Sequence, residues 1–402
     1  MTDHATPAPG GTMSIVIAGG ARTPIGKLLG ALRPLTAAEL GRHAIEAALA
    51  RSGVTAADVD LVYLGNVIQA GVGPSVARLS SIAAGVPMTA VATTINKQCL
   101  SGLAAIRLAA LELGAGDAEV AIAGGTESMT NAPHLAHVRG GIAYGSAEFA
   151  DALERDGLVC GIEREVMGAA TERHQRGLGL SRAEQDEVAL RSHARAARAH
   201  DGGRFADEIV PIDVPGRRGA VVVDRDEGVR PDTTSESLAR LRPAFAADGD
   251  ITAGNASQLS DGAAAVVVTT AEQAARRGVT PLAEVVATGT VAGPDASLLH
   301  QPARAIARAC ERAGIAPAEL DLVEINEAFA SVAIASTREL AIDPERVNVN
   351  GGAIALGHPV GMSGTRVALT LAHELRRRGG GIGAAALCGG GGQGEAIILR
   401  VG

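Results

Sequence analysis

Two stretches of the chain repeat one order of apolar and polar positions. Residues 51–64 read RSGVTAADVDLVYL and residues 312–325 read RAGIAPAELDLVEI, at a constant offset of 261 positions. In both stretches a glycine follows an apolar helical pattern and precedes a short apolar run of the kind found in strands. Each copy therefore predicts the end of a helix, a glycine stop, a short linker and a strand.

The correspondence extends beyond these two stretches. A Ser-Gly pair begins an apolar helix at residues 101–102 and again at 363–364, and a strand that runs into glycines follows at 120–125 and at 384–392. Strands that alternate with helices are typical of doubly wound α/β units. Because these features recur in the same order, we predict two similar α/β halves packed against each other.

The segment between the halves has a different character. It is richer in Arg, His and charge, and its long helix begins at Ser181 with Glu184 three residues on, which predicts a capping box. We interpret it as an inserted loop domain that covers one face of the paired core, after which the strand-like run 263–269 returns to the first half. The predicted units are a flexible tail, an N-terminal half in two pieces, the inserted loop domain and a C-terminal half: residues 1–13, 14–128 with 259–279, 129–258 and 280–402.

Composition narrows the possible classes of function. The 402 residues include no Trp, 2 Tyr and 4 Phe but 52 Gly, so the core must be built from aliphatic side chains with close backbone approach. Few aromatic platforms and a net charge of −8 argue against binding of nucleic acid. No apolar run seen in the sequence predicts a membrane span.

The chain has four cysteines, and their spacing bears on the cellular compartment. They are far apart and form no Cys-x-x-Cys pair, which favours a reduced, cytoplasmic protein. Two of them are candidates for chemistry, because they lie where predicted elements begin or end. The four are Cys99, Cys160, Cys310 and Cys388.

Cys99 directly precedes an apolar helix in which Leu103, Ile106 and Leu113 recur at helical spacing. Unpaired N–H groups and the positive end of the helix dipole favour a thiolate at such a position. The alternative is a buried structural cysteine. The strand–turn–helix context favours a functional site, because open α/β sheets bind ligands at the carboxyl ends of their strands.

His358 lies between Gly357 and Pro359 in a glycine-rich loop. The loop precedes the second Ser-Gly helix, at the place that Cys99 has in the first copy. Packing of the halves by pseudo-symmetry would bring both loops toward one site, where a neutral imidazole could accept the thiol proton. The alternative is a structural histidine. A Walker phosphate loop is excluded, since no Gly-Lys-Ser/Thr follows the glycines.

Two further side chains end predicted strands of the second half. Cys388 aligns with Ala123 of the first copy and precedes four glycines, whose backbone N–H groups could face a ligand. Asn326 ends the repeated strand, where the first copy has Gly65. It could cap the next helix or orient a water toward a developing negative charge. Cys388 by itself could also be a buried thiol.

Taken together and in order, these segments resemble the thiolases, and in particular the short-chain biosynthetic acetyl-CoA acetyltransferases. The resemblance runs from about residue 15 to 399 and includes RTPIGK near the start. Further matching fragments are AGGTESM at 123–129, LRPAF at 241–245 and TAGNAS at 252–257. The implied fold is α/β and thiolase-like: two similar doubly wound halves form a layered α-β-α-β-α core, with the inserted loop domain covering the coenzyme A site.

The resemblance also implies a role for each candidate. Cys99 matches the nucleophile, His358 the histidine that activates it, and Cys388 the acid/base on the substrate carbon. Asn326 matches the asparagine that holds a water, which forms one oxyanion hole with the histidine. The second hole uses the backbone N–H groups of Cys99 and Gly390. By the same match, Met167 faces the acyl pocket, and the residues along the coenzyme A groove are Arg230, Ser237, Phe245, Ala253, Ser257 and Phe329.

The implied activity is a ping-pong condensation of two acetyl-CoA molecules to acetoacetyl-CoA and CoA, reversible as thiolysis. No metal or organic cofactor is expected, the partners are coenzyme A thioesters, and a homodimer or homotetramer is expected. The alternative within the family is a degradative 3-ketoacyl-CoA thiolase of broader chain length. A 3-oxoacyl-ACP synthase would use two histidines, a Cys–His hydrolase would not need the second cysteine, and intact Cys99, His358 and Cys388 argue against a non-catalytic acyl-CoA-binding relative.

Several positions depart from the family pattern. Val166, Leu100 and the loop 298–306 differ, and Gln258 and Ser260 stand where Gly and Asn are common. We expect these changes to leave the catalytic set untouched and to affect acyl-chain preference. The inserted helix carries three arginines that we interpret as a solvated face, with contact to the phosphates of coenzyme A as the alternative: Arg191, Arg195 and Arg198.

Overall fold

The structure, a computed structural model, describes residues 13–216 and 219–402. The tail predicted at residues 1–13 lies outside the described residues except for Met13. Within the described ranges the strands are β1 (Ile15–Arg22), β2 (Gly26–Lys27), β3 (Leu61–Gly65), β4 (Val91–Ile95), β5 (Val120–Ser128), β6 (His134–Leu135), β7 (Ala150–Asp151), β8 (Val159–Cys160), β9 (Glu165–Val166), β10 (Ile212–Val214), β11 (Val221–Val223), β12 (Ser260–Thr270), β13 (Ala283–Ala292), β14 (Leu322–Ile325), β15 (Gly381–Gly389) and β16 (Gln393–Val401).

The α-helices are α1 (Ala37–Ser52), α2 (Val76–Ala83), α3 (Ser101–Ala115), α4 (Met167–Gln175), α5 (Arg182–Asp201), α6 (Ser235–Ala239), α7 (Ala271–Arg276), α8 (Gln301–Ala313), α9 (Ala330–Leu340), α10 (Ala353–Leu356) and α11 (Ser363–Arg377). Short 3₁₀ turns occur at Ala56–Asp58, Pro317–Glu319 and Pro344–Arg346. A π-helical turn spans Leu153–Leu158.

One mixed sheet forms the centre of the molecule, in the order β14-β15-β16-β13-β1-β12-β5-β3-β4, with the short β2 paired to β12. The first residues of β1 pair with both β12 and β13, which joins the two parts of the sheet. In each part a parallel pair, β3–β5 or β14–β15, continues into an antiparallel strand, β12 or β16. The elements of the two parts therefore follow the same order, while the domain boundaries predicted from the sequence stay a prediction.

Alternate residues along the strands face different hydrophobic clusters. In β12, Val266 and Val268 pack in the cluster that contains α3 and α11, whereas Val267 packs in the cluster that contains α1. In β16, Ile397 faces the α3–α11 cluster and Ile398 faces the cluster that contains α8. Strands covered on both faces read as continuous apolar runs. The result is the predicted layered α-β-α-β-α core, with α3 and α11 as its middle layer.

The repeat found in the sequence has the same local geometry in both copies. Gly53 ends α1 and Gly314 ends α8 in the left-handed region, with φ of 71° and 69°, which glycine adopts without steric cost. Asp60 and Asp321 then precede β3 and β14. Each carboxylate accepts a backbone N–H near the start of the neighbouring strand. The helix, stop and strand predicted in each copy are confirmed.

The strand register corrects one alignment drawn from the sequence. β3 pairs with β5, and β14 pairs with β15, in equivalent registers. Counting from these pairs places Cys388 at the position of Thr126 and not of Ala123. The glycines misled the alignment, because Gly124 and Gly125 lie within β5 whereas the glycines after Cys388 lead into the turn before β16.

The two halves meet where α3 and α11 begin. A Cβ added at Gly364 would lie 2.3 Å from the backbone nitrogen of Leu103, and Thr365 Oγ1 donates to the carbonyl of Gly102 at 3.0 Å. Only glycine permits so close a backbone approach. The first turns of both helices therefore lie side by side, and the loops that precede them converge.

The inserted segment is fastened to the core by buried charges. Arg22 on β1 is fully buried and pairs with Asp226 at 2.6 Å and with Glu208 at 2.7 Å. The capping box predicted at the start of α5 is confirmed, since the side chains of Ser181 and Glu184 each bond the other's backbone N–H. The insertion therefore has a fixed place beside the site described below.

One helical stretch, at 98–115, is long and apolar enough to cross a membrane by length and composition. The expectation that no apolar run reaches that length is wrong. The stretch contains α3, whose Leu103 and Ile106 are buried in the central cluster. The first six residues of α3, 101–106, are all buried, whereas Leu111, Gly114 and Ala115 near its end are exposed. The apolar composition is therefore that of a core helix.

Candidate active site

A cavity of about 760 Å³ lies where β15 ends and α3 begins. Its lining includes three side chains predicted to be catalytic, Cys99, His358 and Cys388. The inserted segment supplies another part of the wall, including Leu153 and Phe245. Groups that lie far apart in the sequence therefore share one cavity.

Cys99 lies in a tight turn between β4 and α3. Asn96 Oδ1 accepts the backbone N–H of Gln98 at 3.1 Å. Ser101 Oγ accepts the N–H of Lys97 at 2.8 Å and donates to the carbonyl of Gln98 at 2.6 Å. Gln98 has φ of 52°, an uncommon conformation for a residue other than glycine and one often found at functional sites. The turn places the thiol at the cavity.

The thiol of Cys99 is protonated in the resting site. Burial raises its pKa to about 11; the backbone N–H groups of Cys99 and Gly390 act to lower the pKa, and the carboxylate of Glu127 acts to raise it. The expectation that the helix terminus favours a thiolate is wrong here, because the loss of solvation outweighs the N–H groups. The nucleophile therefore needs a base to remove its proton.

The backbone of His358 is held on both sides. Gly357 before it has φ of 109°, and a Cβ there would lie 2.4 Å from Ser260 Oγ. The N–H of His358 donates to the carbonyl of Gln258 at 3.1 Å and to Ser260 Oγ at 3.2 Å. The departures from the family pattern at 258 and 260 were expected to leave the catalytic set untouched. Ser260 contacts the histidine backbone through its side chain, whereas Gln258 does so through a backbone carbonyl that any residue would supply. The expectation therefore stays a prediction.

Ser363 at the start of α11 sets the tautomer of His358. Its Oγ donates to the carbonyl of Pro359 at 3.0 Å and lies 2.6 Å from His358 Nδ1. With the hydroxyl proton donated to Pro359, Nδ1 carries the ring proton and donates to Ser363 Oγ, and Nε2 is left as an acceptor. Burial lowers the pKa of His358 to about 3, and the Arg366 guanidinium adds to this. A neutral imidazole with a free Nε2 can serve as general base.

Asn326 and Cys388 come from neighbouring parallel strands, β14 and β15, which deliver them to the same edge of the sheet. Asn326 Nδ2 lies 3.4 Å from His358 Nε2, and its Oδ1 has no hydrogen-bond partner among the described residues. Cys388 is fully buried, and burial together with the nearby Cys99 raises the pKa of its thiol. Both cysteines are therefore thiols at neutral pH, and an acceptor must take each proton.

Gly390 lies in the turn after β15. Its backbone N–H and that of Cys99 both interact with the Cys99 sulfur. Two N–H groups in this place can stabilise an oxyanion that forms on an acyl group bound to the sulfur. A Cβ on Gly390 would lie 3.3 Å from Met167 Sδ and 3.4 Å from Gln98 Cγ, so a larger residue would crowd the nucleophile's turn.

Most residues assigned to substrate binding by resemblance line the cavity. Phe245 and Phe329 form an edge-to-face pair with their ring centroids 6.1 Å apart. Ser237 is not brought to the cavity lining. It is exposed in the first turn of α6, where its backbone N–H donates to Thr234 Oγ1. The members of the set that line the cavity are Met167, Arg230, Phe245, Ala253, Ser257 and Phe329; their roles stay predictions.

The lining also contains residues that sequence reasoning missed. Lys27 and Leu28 line the cavity beside the inserted segment, and the π-helical turn contributes Leu153 and Leu158. Lys27 could have been noticed as one of the few lysines of an arginine-rich chain. No signal marked the π-helical turn, because its sequence LERDGL has no apolar period.

Arg195 contradicts the expectation of a solvated arginine face. It is buried, donates to the carbonyl of Val347 at 2.6 Å and pairs with Glu345 at 2.9 Å. Arg198 is exposed as expected. None of Arg191, Arg195 and Arg198 is among the described residues that line the cavity, so the lining gives no support to their contact with phosphates.

Comparisons with known proteins agree with this geometry. The chain matches the family descriptions "Thiolase, N-terminal domain" over residues 15–272 and "Thiolase, C-terminal domain" over residues 279–401. It is 53% identical over 393 residues to a probable acetyl-CoA acetyltransferase of Mycobacterium tuberculosis, with 97% of this chain and 100% of that protein covered. It is 47% identical over 390 residues to an acetyl-CoA acetyltransferase of Shinella zoogloeoides, with 97% and 99% covered. The crystal structure of the Bacillus anthracis acetyl-CoA acetyltransferase matches with a TM-score of 0.94 at 41% identity, and the match covers 97% of this chain and 99% of that one.

Proposed function

The chain belongs to the thiolase family, and on this premise we propose that it is an acetyl-CoA C-acetyltransferase. The reaction condenses two acetyl-CoA molecules to acetoacetyl-CoA and CoA, and it runs in reverse as thiolysis. Two buried cysteines and a neutral histidine that converge on one cavity support this assignment most directly. Relatives with this printed name match the chain over nearly its whole length.

In the first half-reaction Cys99 accepts the acetyl group. His358 Nε2 takes the thiol proton, the thiolate attacks the thioester carbonyl, and the bond between that carbon and the CoA sulfur breaks. The departing CoA sulfur receives the proton from His358. The N–H groups of Cys99 and Gly390 stabilise the oxyanion, by roughly 10²–10³-fold in rate per donor. The acetyl thioester on Cys99 keeps the activation of the substrate for the next step.

In the second half-reaction Cys388 removes a proton from the methyl carbon of the second acetyl-CoA. The thiol proton of Cys388 has first moved to His358 Nε2. The protonated histidine then donates a hydrogen bond to the enolate oxygen, as does the water that Asn326 would hold. The carbanion attacks the acetyl carbon, and the bond from that carbon to the Cys99 sulfur breaks. Cys99 then takes the proton from His358, and Cys388 keeps the proton of the substrate. Both cysteines end as thiols, so the cycle closes.

A second candidate is a degradative 3-ketoacyl-CoA thiolase of broader chain length. The cavity wall includes the apolar side chains of Leu153, Leu158 and Val166. A longer acyl chain that packs against such a wall gains about 0.8 kcal/mol per buried CH₂. A Cys–His hydrolase is less favoured, since Cys388 lies in the same site without a part to play in hydrolysis.

We propose that coenzyme A thioesters and CoA are the partners of the reaction and that no metal or organic cofactor takes part, because a thioester is already an activated acyl donor. We further propose a cytoplasmic enzyme of lipid and fatty acid metabolism that acts on neither nucleic acid nor membranes.

A homodimer or homotetramer is part of the proposal. β4 lies at one end of the sheet, and Val91 at its start is 60% exposed. An edge strand with apolar exposure can pair with a second copy of the chain. Size-exclusion chromatography with light scattering should give the mass of two or four chains, and the mass of one chain would contradict this part.

The activity is tested with purified protein, acetoacetyl-CoA, longer 3-ketoacyl-CoAs and free CoA. The proposal expects the highest kcat/KM for the four-carbon substrate. Equal or faster cleavage of longer chains would favour the degradative candidate. Mass spectrometry after treatment with acetyl-CoA should find an acetyl group on Cys99, and an unmodified Cys99 under turnover would refute the mechanism.

A further inference from the structure

Glu127 lies at the end of β5 and is 1% exposed. Its Oε2 accepts the backbone N–H of Val67 at 2.9 Å and that of Gly361 at 3.0 Å. Its Oε1 accepts the backbone N–H of Ile68 at 3.1 Å and Nδ2 of Asn66 at 2.9 Å. All four donors are neutral, and no cation is among the main influences on the pKa of this carboxylate.

The four donors belong to opposite sides of the site. Val67 and Ile68 follow β3 and share a hydrophobic cluster with Cys99. Gly361 lies three residues after His358, in the loop that carries the imidazole. Glu127 therefore connects the surroundings of the nucleophile with the loop of the base, across the boundary between the two halves.

The backbone at Gly361 is held tightly between these groups. A Cβ added at Gly125 would lie 1.9 Å from the carbonyl oxygen of Gly361, and one added at Gly361 would lie 2.9 Å from Glu127 Oε2. The carbonyl thus packs against β5 while the N–H bonds to the carboxylate. A change at Glu127 would be transmitted to His358 through this short segment.

The charge of Glu127 is costly and acts on the nucleophile. Burial raises the pKa of this carboxyl to about 7 against the pull of its three backbone donors, and Asp261 on β12 adds to the rise. The ionisable groups that face it are Asp261 and the thiol of Cys99, whose pKa the carboxylate raises. A buried carboxylate without a cation is expensive to retain, which favours a functional reason for it.

We propose that Glu127 is a positioning residue: its carboxylate aligns His358 with Cys99 through the Gly361 N–H. The alignment rests on the proposed function, in which His358 takes the proton of Cys99. The thiolate then forms only when the histidine receives that proton.

The variant Glu127→Gln tests this, because it keeps the shape but offers one acceptor oxygen to four donors and turns an N–H₂ toward them. At pH 8.5 kcat for acetoacetyl-CoA thiolysis should fall roughly 100-fold, as for a small misalignment of reacting groups, with KM for CoA nearly unchanged. Alkylation of Cys99 by iodoacetamide should become faster at the same pH, since the thiol pKa falls without the carboxylate. Glu127→Asp keeps the charge and should regain part of kcat.

The pH profile gives a readout that a purely structural role would not move. A raised carboxyl pKa means that Glu127 is protonated below about pH 7 and accepts all four donors only above it. Wild-type kcat should therefore rise through about pH 7, and this limb should be absent from Glu127→Gln. If wild-type kcat does not change with pH across that range, the proposal is overturned. This test needs only the wild-type protein, so it stands even where Glu127→Gln does not fold.

Glu374→Gln is the matched control. Glu374 is 3% exposed and accepts Nδ2 of Asn350 at 2.9 Å and Nε of Arg378 at 2.9 Å, near the far end of α11. The Glu374→Gln variant should lower thermal stability and leave kcat and the rate of Cys99 alkylation unchanged. If Glu127→Gln behaves in the same way, the proposal is wrong. Acetylation of wild-type Cys99 tests the proposed function separately, whereas alkylation responds to Glu127 whether or not the protein transfers acetyl groups.

Discussion

The two halves begin their central helices in the same way but use the preceding position differently. Two residues before the Ser-Gly start of α3 is Cys99, and two residues before that of α11 is Gly361. Cys99 lines the cavity. The carbonyl of Gly361 instead packs against the first half, where it leaves no room for a Cβ at Gly65 or Gly125. The same turn holds the nucleophile in one half and fills space in the other.

The strand ends show the opposite difference: those of the second half, and not those of the first, supply side chains to the site. Gly65 ends β3, Thr126 lies two residues before the end of β5, and both are covered by the second half. Of their equivalents, Asn326 contacts His358 and Cys388 lines the cavity. The halves share a framework, and the backbone at Gly361 covers the strand ends of the first half. An arrangement with one active end therefore arises from two similar halves.

Loss of the nucleophile should have the largest effect, because the thiol of Cys99 is what distinguishes the turn before α3 from the turn before α11. Cys99→Ala should lower kcat for thiolysis of acetoacetyl-CoA by roughly 10⁴-fold or more, as for other lost nucleophiles. Cys310→Ala is the control, since it removes a buried thiol from the cluster around α8. That variant should retain wild-type kcat. Thiolysis that survives in Cys99→Ala would place the nucleophile elsewhere.

Cys388→Ala tests whether Cys388, at the end of β15, transfers the proton of the substrate carbon. Acetylation of Cys99 by acetyl-CoA should persist, while condensation and thiolysis fall roughly 10²–10⁴-fold, the range of a lost general base. Mass spectrometry follows the first reaction and absorbance of acetoacetyl-CoA the second. Hydrolysis of acetyl-CoA at an undiminished rate would instead support a Cys–His hydrolase.

Gly125→Ala tests the space-filling role of Gly361. The new Cβ would lie 1.9 Å from a backbone carbonyl oxygen, and such overpacking should cost about 3 kcal/mol of the free energy of unfolding. Gly114→Ala on α3 is the control, since its Cβ would have no atom within 4 Å. It should raise stability by about 0.5–1 kcal/mol. Equal free energies from urea unfolding of the two variants would show that the halves do not meet as described.

The smallest effect is expected in the pH dependence of Cys99 alkylation. It tests whether burial or the helix terminus governs the pKa of this thiol. Because burial raises the pKa of this thiol to about 11, the thiolate fraction and the rate with iodoacetamide should rise about tenfold per pH unit from 7 to 10. Free cysteine, with an ordinary pKa of about 8.5, should level off earlier. A plateau for Cys99 below pH 9 would mean that the helix terminus outweighs burial.

Much of the fold could be predicted because it depends on local patterns. The glycine stops at Gly53 and Gly314, the capping box at Ser181 and the repeated strands all have short-range signals. The candidates at positions 99, 326, 358 and 388 could be identified from strand ends, helix starts and the resemblance to thiolases. The alignment of Cys388 failed, because runs of glycine look alike in a strand and in a turn.

By itself, the sequence determined the repeated α/β framework and the residue types available for acyl transfer, since backbone propensity and apolar periodicity are local properties. Only the tertiary structure decided the protonation state of Cys99 and the long-range hydrogen bonds of Glu127. The helix start at Cys99 favours a thiolate by local rules, but burial reverses the preference. Glu127 lies in the matching fragment AGGTESM, but the fragment did not indicate its role, because its hydrogen-bond partners lie 59 to 234 residues away. Solvation and long-range hydrogen bonds depend on which segments pack together, and that is decided when the two halves meet.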